Sequence, residues 1–180
     1  MFDMKSTASK TAVARGTLSV RKMVLTAMLA CLGFVLSTFV YFPSMAPFQH
    51  FCNVIGAVFL GPWYGFAAAL LTGLMRMMTG RTIQAVVGAI FGAFLSGLLY
   101  QKTKKLWAAL IGEVIGTGFI SAMVAYPLMR MFYGLPKHSP FFYIPAYTPS
   151  SLMGGLLGCA VILILKRSGT LDRMLDQLNR

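Results

Sequence analysis

Long stretches without charge dominate the pattern of this chain. Residues 23–75 contain no Lys, Arg, Asp or Glu, and further uncharged stretches follow at 82–101 and 138–165. Residues 106–129 are interrupted by a single charge, at Glu113. A helix needs about 20 consecutive apolar residues to cross a bilayer. The pattern therefore predicts an all-α integral membrane protein whose partner along most of its length is the lipid bilayer.

The number of spans depends on residues 48–78. Four spans follow directly from the pattern, at 23–41, 82–101, 106–132 and 141–165. Residues 48–78 form either one long helix or two shorter ones separated at Gly61-Pro62. A proline disfavours helical geometry in the residue before it and is well placed at the start of a new helix.

The distribution of basic residues favours the second interpretation. With six spans and a cytoplasmic N-terminus, twelve of the 16 basic residues lie inside. The four that lie outside are Arg76, Arg81, Arg130 and Lys137. Five spans would leave nine inside and seven outside. Cytoplasmic loops carry the excess of Lys and Arg. We therefore expect a six-helix membrane domain over 22–166 with both termini in the cytoplasm.

Two short tails flank this domain. Residues 1–21 are rich in Ser, Thr, Lys and Arg, which predicts a cytoplasmic tail. In the second tail, 167–180, apolar residues recur at helical spacing: Leu171, Met174, Leu175 and Leu178. This tail is either a short interfacial helix or a solvated end.

Composition excludes several classes of function. A net charge of +12 would indicate nucleic-acid binding in a soluble domain, but here it reflects membrane sidedness, and we expect no nucleic-acid partner. The three cysteines, Cys31, Cys52 and Cys159, are isolated and lack the spacing of a zinc site. We expect no metal and no cofactor. Six spans leave no room in 180 residues for a separate catalytic domain, so an enzyme is not expected.

Small residues recur every four positions on several spans, which favours close helix packing in lipid. They are Gly88, Gly92 and Ser96, with Ala89, Ala93 and Gly97 beside them, then Gly112 and Gly116, and finally Gly154 and Gly158. We expect most of these to pack inside the bundle. In the first span, Ala27, Ala30 and Cys31 line a groove that suits either a helix of another protein or a neighbour in the same chain.

Polar and aromatic residues collect toward the outer side of the six-span arrangement. They predict a pocket for a small, flat heterocyclic ligand, held by stacking and a few directional hydrogen bonds. Aromatic residues also gather at membrane interfaces without any ligand, which is the alternative for the tyrosines. The candidate ligand-binding residues are Phe48, Gln49, His50, Asn53, Arg76, Gln84, Tyr126, Tyr143, Tyr147 and Ser150.

Glu113 is the one acidic residue within the spans, and we include it among the candidates. It shares a helix face with Thr117 and Ser121, so this face is expected to point into the bundle. A pair with Arg76 would be strained, because about 13 Å of depth separates the two backbones at ~1.5 Å per residue. There are three other interpretations: Glu113 is held by Ser, Thr, Trp or backbone groups, it contacts a ligand, or it has a role in coupling. His50 and Glu113 are placed near opposite faces, which argues against an intramembrane enzyme that uses both.

Several motifs together are distinctive: PFQH at 47–50, LGPWY at 60–64, GEVIGTG at 112–118 and AYP at 125–127. With them the sequence resembles the substrate-binding S components of energy-coupling factor (ECF) vitamin transporters, and within that group the ThiW-type proteins. The likeness covers about residues 22–166. Two features depart from the pattern: Ala27-xxx-Cys31 replaces an Ala-xxx-Ala contact, and the turn after Arg76 carries Arg81 and lacks an Asn.

The resemblance implies a six-helix protein of a prokaryotic cell membrane that captures a vitamin precursor on the extracellular side and has no ATPase of its own. A membrane-embedded T component and two cytoplasmic ATPase subunits would complete the importer. The implied ligand is hydroxyethylthiazole, the thiazole precursor of thiamine. Hydroxymethylpyrimidine, thiamine itself or another aromatic vitamin are alternative ligands, and a solitary transporter is an alternative mode of action.

Overall fold

The computed structural model describes residues 19–40 and 46–179, and within these ranges the regular structure is entirely helical. Residues 1–18 of the predicted tail 1–21, the segment 41–45 and residue 180 lie outside the described residues. The helices are α1 (Val20–Phe39), α2 (Pro47–Phe59), α3 (Gly61–Met78), α4 (Gln84–Thr103), α5 (Leu106–Tyr133), α6 (Ile144–Arg167) and α7 (Thr170–Asn179). The all-α fold class is therefore confirmed.

Four of the described helices are long and apolar enough to cross a membrane: α1, α4, α5 and α6. The other two expected spans, α2 and α3, do not meet this criterion. The 13 residues of α2 measure about 20 Å, shorter than the ~30 Å hydrocarbon core of a bilayer. The protein is thus multi-pass, while the count of six crossings stays a prediction.

The chain reverses direction between α2 and α3, at Gly61. This glycine has φ of +75°, a conformation that glycine adopts without steric cost. A Cβ placed on Gly65 would lie 3.8 Å from the backbone of Gly56. Nine residues of continuous helix would instead separate these two positions by about 13 Å. The prediction of two helices separated at Gly61-Pro62 is therefore confirmed.

Small residues bring the helices into backbone contact, as predicted for the bundle interior. On α4, Gly97 faces Pro62 of α3, where an added Cβ would lie 2.7 Å from the proline Cα. On α5, Gly112 faces Ser96 and Gly116 faces Gly92, both on α4. Because these contacts are between backbone atoms, α3, α4 and α5 can shift little relative to one another.

The start of α2 lies inside the bundle and not at its end. Gly154 of α6 packs against the carbonyl of Pro47, and the backbone N–H of Ala46 donates to Ser150 Oγ at 2.9 Å. Gly154 comes ten residues after Ile144, which is about 15 Å along α6. The first turn of α2 therefore begins well below the N-terminal end of α6.

The C-terminal segment is a helix, α7, packed across the opposite end of the bundle. Leu171 and Leu178 are buried in a cluster that includes Phe59 and Leu60. The Arg21 guanidinium also donates to the backbone carbonyl of Gln177. Of the two alternatives for this tail, the helical one is confirmed, and its apolar face covers the turn between α2 and α3.

Replacing Gly116 by Ala is expected to destabilise the bundle by about 1–3 kcal/mol, the usual cost of overpacking. The new Cβ would lie 2.6 Å from the Phe91 carbonyl oxygen and 2.7 Å from Gly92 Cα, and neither backbone atom can rotate away. Thermal unfolding of the purified protein in one detergent measures the effect. Gly56→Ala is the matched control, since its nearest neighbour would be 3.7 Å away. Equal melting temperatures for the two variants would contradict the packing.

Candidate functional site

A cavity of about 310 Å³ lies at the end of the bundle where α3 turns into α4. Five helices and one turn contribute to its wall, which includes two arginines and, among the described residues, no acidic side chain. The lining residues are Ala46, Gln49, His50, Arg76, Gly80, Arg81, Thr82, Gln84, Ala85, Gly88, Thr117, Tyr147 and Ser150.

The outer part of the cavity is formed by the α3–α4 turn and the start of α6. The backbone N–H of Ile83 donates to the Tyr133 hydroxyl at 3.2 Å, which ties this turn to the end of α5. Tyr147 packs its ring beside Gly88, where an added Cβ would lie 3.5 Å from the ring. Because Gly88 has no side chain, the Tyr147 ring can lie against α4 and form this part of the cavity wall.

The inner end of the cavity is backed by a hydrogen-bond network around Glu113, which is fully buried. Glu113 Oε1 lies 2.9 Å from His50 Nδ1 and accepts from Thr117 Oγ1 at 2.9 Å and from Asn53 Nδ2 at 3.1 Å. Asn53 Nδ2 also donates to the Ala89 carbonyl, and Gln49 Nε2 donates to Asn53 Oδ1 at 3.3 Å. The network thus joins α2, α4 and α5.

Two local features allow this network to form. Gly92 of α4 faces it, because a Cβ there would overlap Thr117 Oγ1 and come within 2.6 Å of Glu113 Oε1. In addition, α5 is π-helical over Val114–Ser121. Such wider turns are rare in proteins, and many of those that do occur lie at functional sites. The stripe of Glu113, Thr117 and Ser121 is buried, as its helical spacing predicted.

A second tyrosine contacts the cavity wall from outside. Tyr143 lies just before α6, with its ring 5.8 Å from that of Tyr147. Burial raises the pKa of Tyr143, and a hydrogen bond with Gln84 lowers it in part. The Tyr143 hydroxyl is therefore uncharged at neutral pH.

Within residues 19–40 and 46–179, no group of three or more His, Cys, Asp or Glu side chains is arranged to hold a metal ion. The cavity wall itself offers hydrogen-bonding side chains, one tyrosine ring and two guanidinium groups.

The family model described as thiamine-precursor transporter protein (ThiW) matches residues 23–168 of this chain. The chain belongs to the ThiW family. Comparisons with curated proteins and with solved structures give no match. ThiW membership confirms the resemblance drawn from the PFQH, LGPWY and GEVIGTG motifs, and it makes the protein a multi-pass transporter of a thiamine precursor.

Six of the candidate residues of this ThiW-family protein meet at the cavity: Gln49, His50, Arg76, Gln84, Tyr147 and Ser150. Asn53 and Glu113 lie behind the wall, in the network described above. Tyr143 contacts two wall residues from outside. Whether any of these side chains binds ligand stays a prediction, but the structure brings nine of them to one place.

Two candidates lie elsewhere. Phe48 makes an edge contact with Phe51, with ring centroids 6.4 Å apart, and does not line the cavity. The Tyr126 hydroxyl donates to the His138 carbonyl and accepts from the His138 N–H at 2.9 Å, so it ties down the α5–α6 connection. Both aromatic rings therefore serve packing in this structure.

The expectation that His50 and Glu113 lie near opposite faces is wrong, since their side chains are in contact. The expectation assumed that α2 starts at the membrane surface, whereas Pro47 packs against Gly154 deep in the bundle. His50 is consequently carried down to the level of Glu113. Arg76 is not the ion-pair partner of Glu113, because the described residues contain no salt bridge between them.

Sequence reasoning missed several wall residues, among them Ala85, Gly88 and Thr117. A signal for Gly88 was present, since it follows Gln84 by one helical turn and therefore shares its face. Thr117 was placed on the stripe of Glu113 but not assigned to the pocket. Its place in the cavity wall depends on the position of α2, which the spacing within α5 does not give.

The three residues of α1 that were predicted to contact a partner helix do not lie in the same environment. Ala27 and Cys31 are exposed on the surface of the bundle. Ala30 is buried, and its carbonyl accepts a hydrogen bond from Thr72 Oγ1 on α3. Ala30 therefore packs inside the bundle, while a contact with another protein stays a prediction for Ala27 and Cys31.

Replacing Thr117 by Val is expected to destabilise the protein by about 1–3 kcal/mol, because the buried Glu113 loses a donor while the side-chain shape is kept. Thr38→Val is the matched control: Thr38 is exposed, and its hydroxyl donates to the Phe34 carbonyl within its own helix. Thermal unfolding in detergent compares the two. A Thr117→Val protein as stable as Thr38→Val would argue against the network.

Proposed function

We propose that this protein is the substrate-capture S component of an ECF-type importer and binds hydroxyethylthiazole in the cavity between α2, α3, α4, α5 and α6. A T component and two ATPase subunits would supply the energy for transport. The observation that carries the proposal is the cavity itself, in which a tyrosine ring, amides and guanidinium groups surround a small volume. ThiW-family membership supports a thiamine precursor as its ligand.

The cavity volume fits a single small ring. At about 310 Å³ it lies at the lower end of the range of ~300–1,000 Å³ for small-molecule sites. Hydroxyethylthiazole has one flat ring for stacking on Tyr147, a ring nitrogen that accepts a hydrogen bond, and a hydroxyl that both donates and accepts. The amides of Gln49 and Gln84 and the guanidinium of Arg76 supply partners for these groups.

The charge of the wall favours hydroxyethylthiazole over thiamine. Arg76 and Arg81 both line the cavity, and like charges repel strongly where water is scarce. Thiamine carries a positively charged thiazolium ring and is also larger, whereas hydroxyethylthiazole is uncharged. Hydroxymethylpyrimidine is uncharged as well, so competition between these three compounds decides the ligand.

The proposed topology has six crossings with both termini in the cytoplasm of a prokaryotic cell. The reversal at Gly61 and the alternating directions of the packed helices support it. The cavity then faces outward, where substrate is captured. The exposed Ala27 and Cys31 on α1 offer small side chains for close approach of a T-component helix.

Labelled hydroxyethylthiazole is expected to bind the purified protein saturably. Replacing Tyr147 by Leu should raise its Kd about 2- to 10-fold through lost stacking, and Tyr147→Phe should change it less. Phe48→Leu is the matched control, since Phe48 does not line the cavity, and its Kd is expected to stay unchanged. Equilibrium binding measures all four proteins. Absence of saturable binding at micromolar ligand would refute the assigned substrate.

Single cysteines in a background without the three native ones test the topology. Trp63→Cys, beside the α2–α3 turn and 73% exposed as Trp, and Ser168→Cys should react with a membrane-impermeant reagent from the cytoplasmic side. Leu135→Cys in the α5–α6 connection should react from the other side. Labelling of positions 63 and 168 from opposite sides would rule out six crossings.

Transport in vesicles that contain the protein alone separates the S-component role from that of a solitary transporter. We expect uptake of labelled hydroxyethylthiazole only when the coupling subunits and ATP are also present. Uptake by the protein alone would favour the solitary mode and would leave the ligand assignment intact.

A further inference from the structure

The contact between His50 and Glu113 determines which edge of the imidazole ring faces the cavity. Nδ1 lies 2.9 Å from Glu113 Oε1, and no described residue hydrogen-bonds to Nε2. The two nitrogens lie on opposite edges of the ring, and His50 lines the cavity while Glu113 lies behind it. Nε2 is therefore the nitrogen available to a bound molecule.

The burial of Glu113 limits how many protons the pair can carry. Its side chain is fully buried and Oε2 has no hydrogen-bond partner among the described residues, so an uncompensated negative charge would be costly. Among the described residues its salt-bridge partner is His50, and no salt bridge joins it to Arg76 of the cavity wall. The pair is therefore expected to be neutral in total.

A neutral pair places a hydrogen on Nε2 in either of its two forms. In the first form the carboxylate accepts from Nδ1–H, and the imidazolium carries its second proton on Nε2. In the second form the carboxyl group donates to Nδ1, and the neutral ring carries its proton on Nε2. Both forms present a donor to the cavity, whereas a carboxylate beside a neutral Nδ1–H ring would present an acceptor.

We propose that Glu113 is a positioning residue that keeps His50 Nε2 protonated, so that the inner end of the cavity selects a heterocycle whose ring nitrogen accepts a hydrogen bond. The choice of hydroxyethylthiazole as probe rests on the proposed function, but the protonation of Nε2 does not. Asn53 and Thr117 fix the orientation, because both donate to the same Glu113 oxygen that faces Nδ1.

The ligand-free protein tests the first half of this inference. The chain has two histidines, so ¹⁵N ring labelling gives two sets of signals, and His138→Gln identifies those of His50. At neutral pH we expect a protonated, pyrrole-type Nε2. In Glu113→Gln the amide oxygen can take the place of Oε1, Nδ1–H then donates to it, and Nε2 should become pyridine-type. A pyridine-type Nε2 in the unmodified protein, or an unchanged Nε2 in Glu113→Gln, would overturn the proposal.

A matched pair of ligands tests the second half. Hydroxyethylthiazole is compared with its thiophene analogue, in which a C–H replaces the ring nitrogen. We expect the unmodified protein to prefer the thiazole about tenfold or more, the range of a hydrogen bond in a dry site. Glu113→Gln should lose this preference. His50→Gln should keep part of it, because its amide N–H can occupy the position of Nε2–H.

The outcomes separate this inference from the proposed function. Tight binding of both ligands without preference would overturn the selection by His50 and leave the substrate assignment standing. If neither ligand binds, the proposed function fails, and the ¹⁵N spectra still decide the protonation of Nε2. A purely structural role for Glu113 would lower stability and affinity for both ligands equally, which would contradict the proposal.

Discussion

The buried carboxyl group of Glu113 is the constraint on which the centre of this molecule depends. A carboxyl group without donors is costly in a membrane interior, and here His50, Asn53 and Thr117 converge on one of its oxygens. Two of the three come from α2. This helix must therefore start deep enough to bring its first two turns to the level of Glu113, and its contacts with Gly154 and Ser150 place it there.

Glycines make this arrangement sterically available. Gly92 provides the space for Glu113 and Thr117, and Gly154 lets the backbone of α2 approach α6. One turn before Gly92, Gly88 leaves room for Tyr147 at the cavity wall. These two glycines of α4 thus serve helix packing at the level of Gly92 and the cavity at the level of Gly88. The opposite end of the bundle is covered by the apolar face of α7, so the molecule is open at one end and covered at the other.

The polar members of the candidate site were predictable from the sequence, and the aromatic members were less so. Polar residues such as Gln49, Gln84 and Ser150 within apolar segments have few low-energy environments other than a cavity or a partner. Phe48 and Tyr126 fit either a ligand or ordinary packing, so their type alone did not decide their place. The predicted depth of His50 in the membrane was wrong, because it was counted from a start of α2 at the membrane surface.

The sequence by itself determined that the chain crosses a membrane, where its helices lie, that Gly61-Pro62 separates two of them, and that small residues form their contacts. These properties are local, since hydropathy and spacing act on each segment separately. Only the tertiary structure decided that α2 begins inside the bundle, that His50 meets Glu113, and that Ala30 packs inward while Ala27 and Cys31 face outward. The offset of one helix against another depends on atoms distant in sequence that touch only after packing. The hydropathy and spacing within a single segment do not contain this offset.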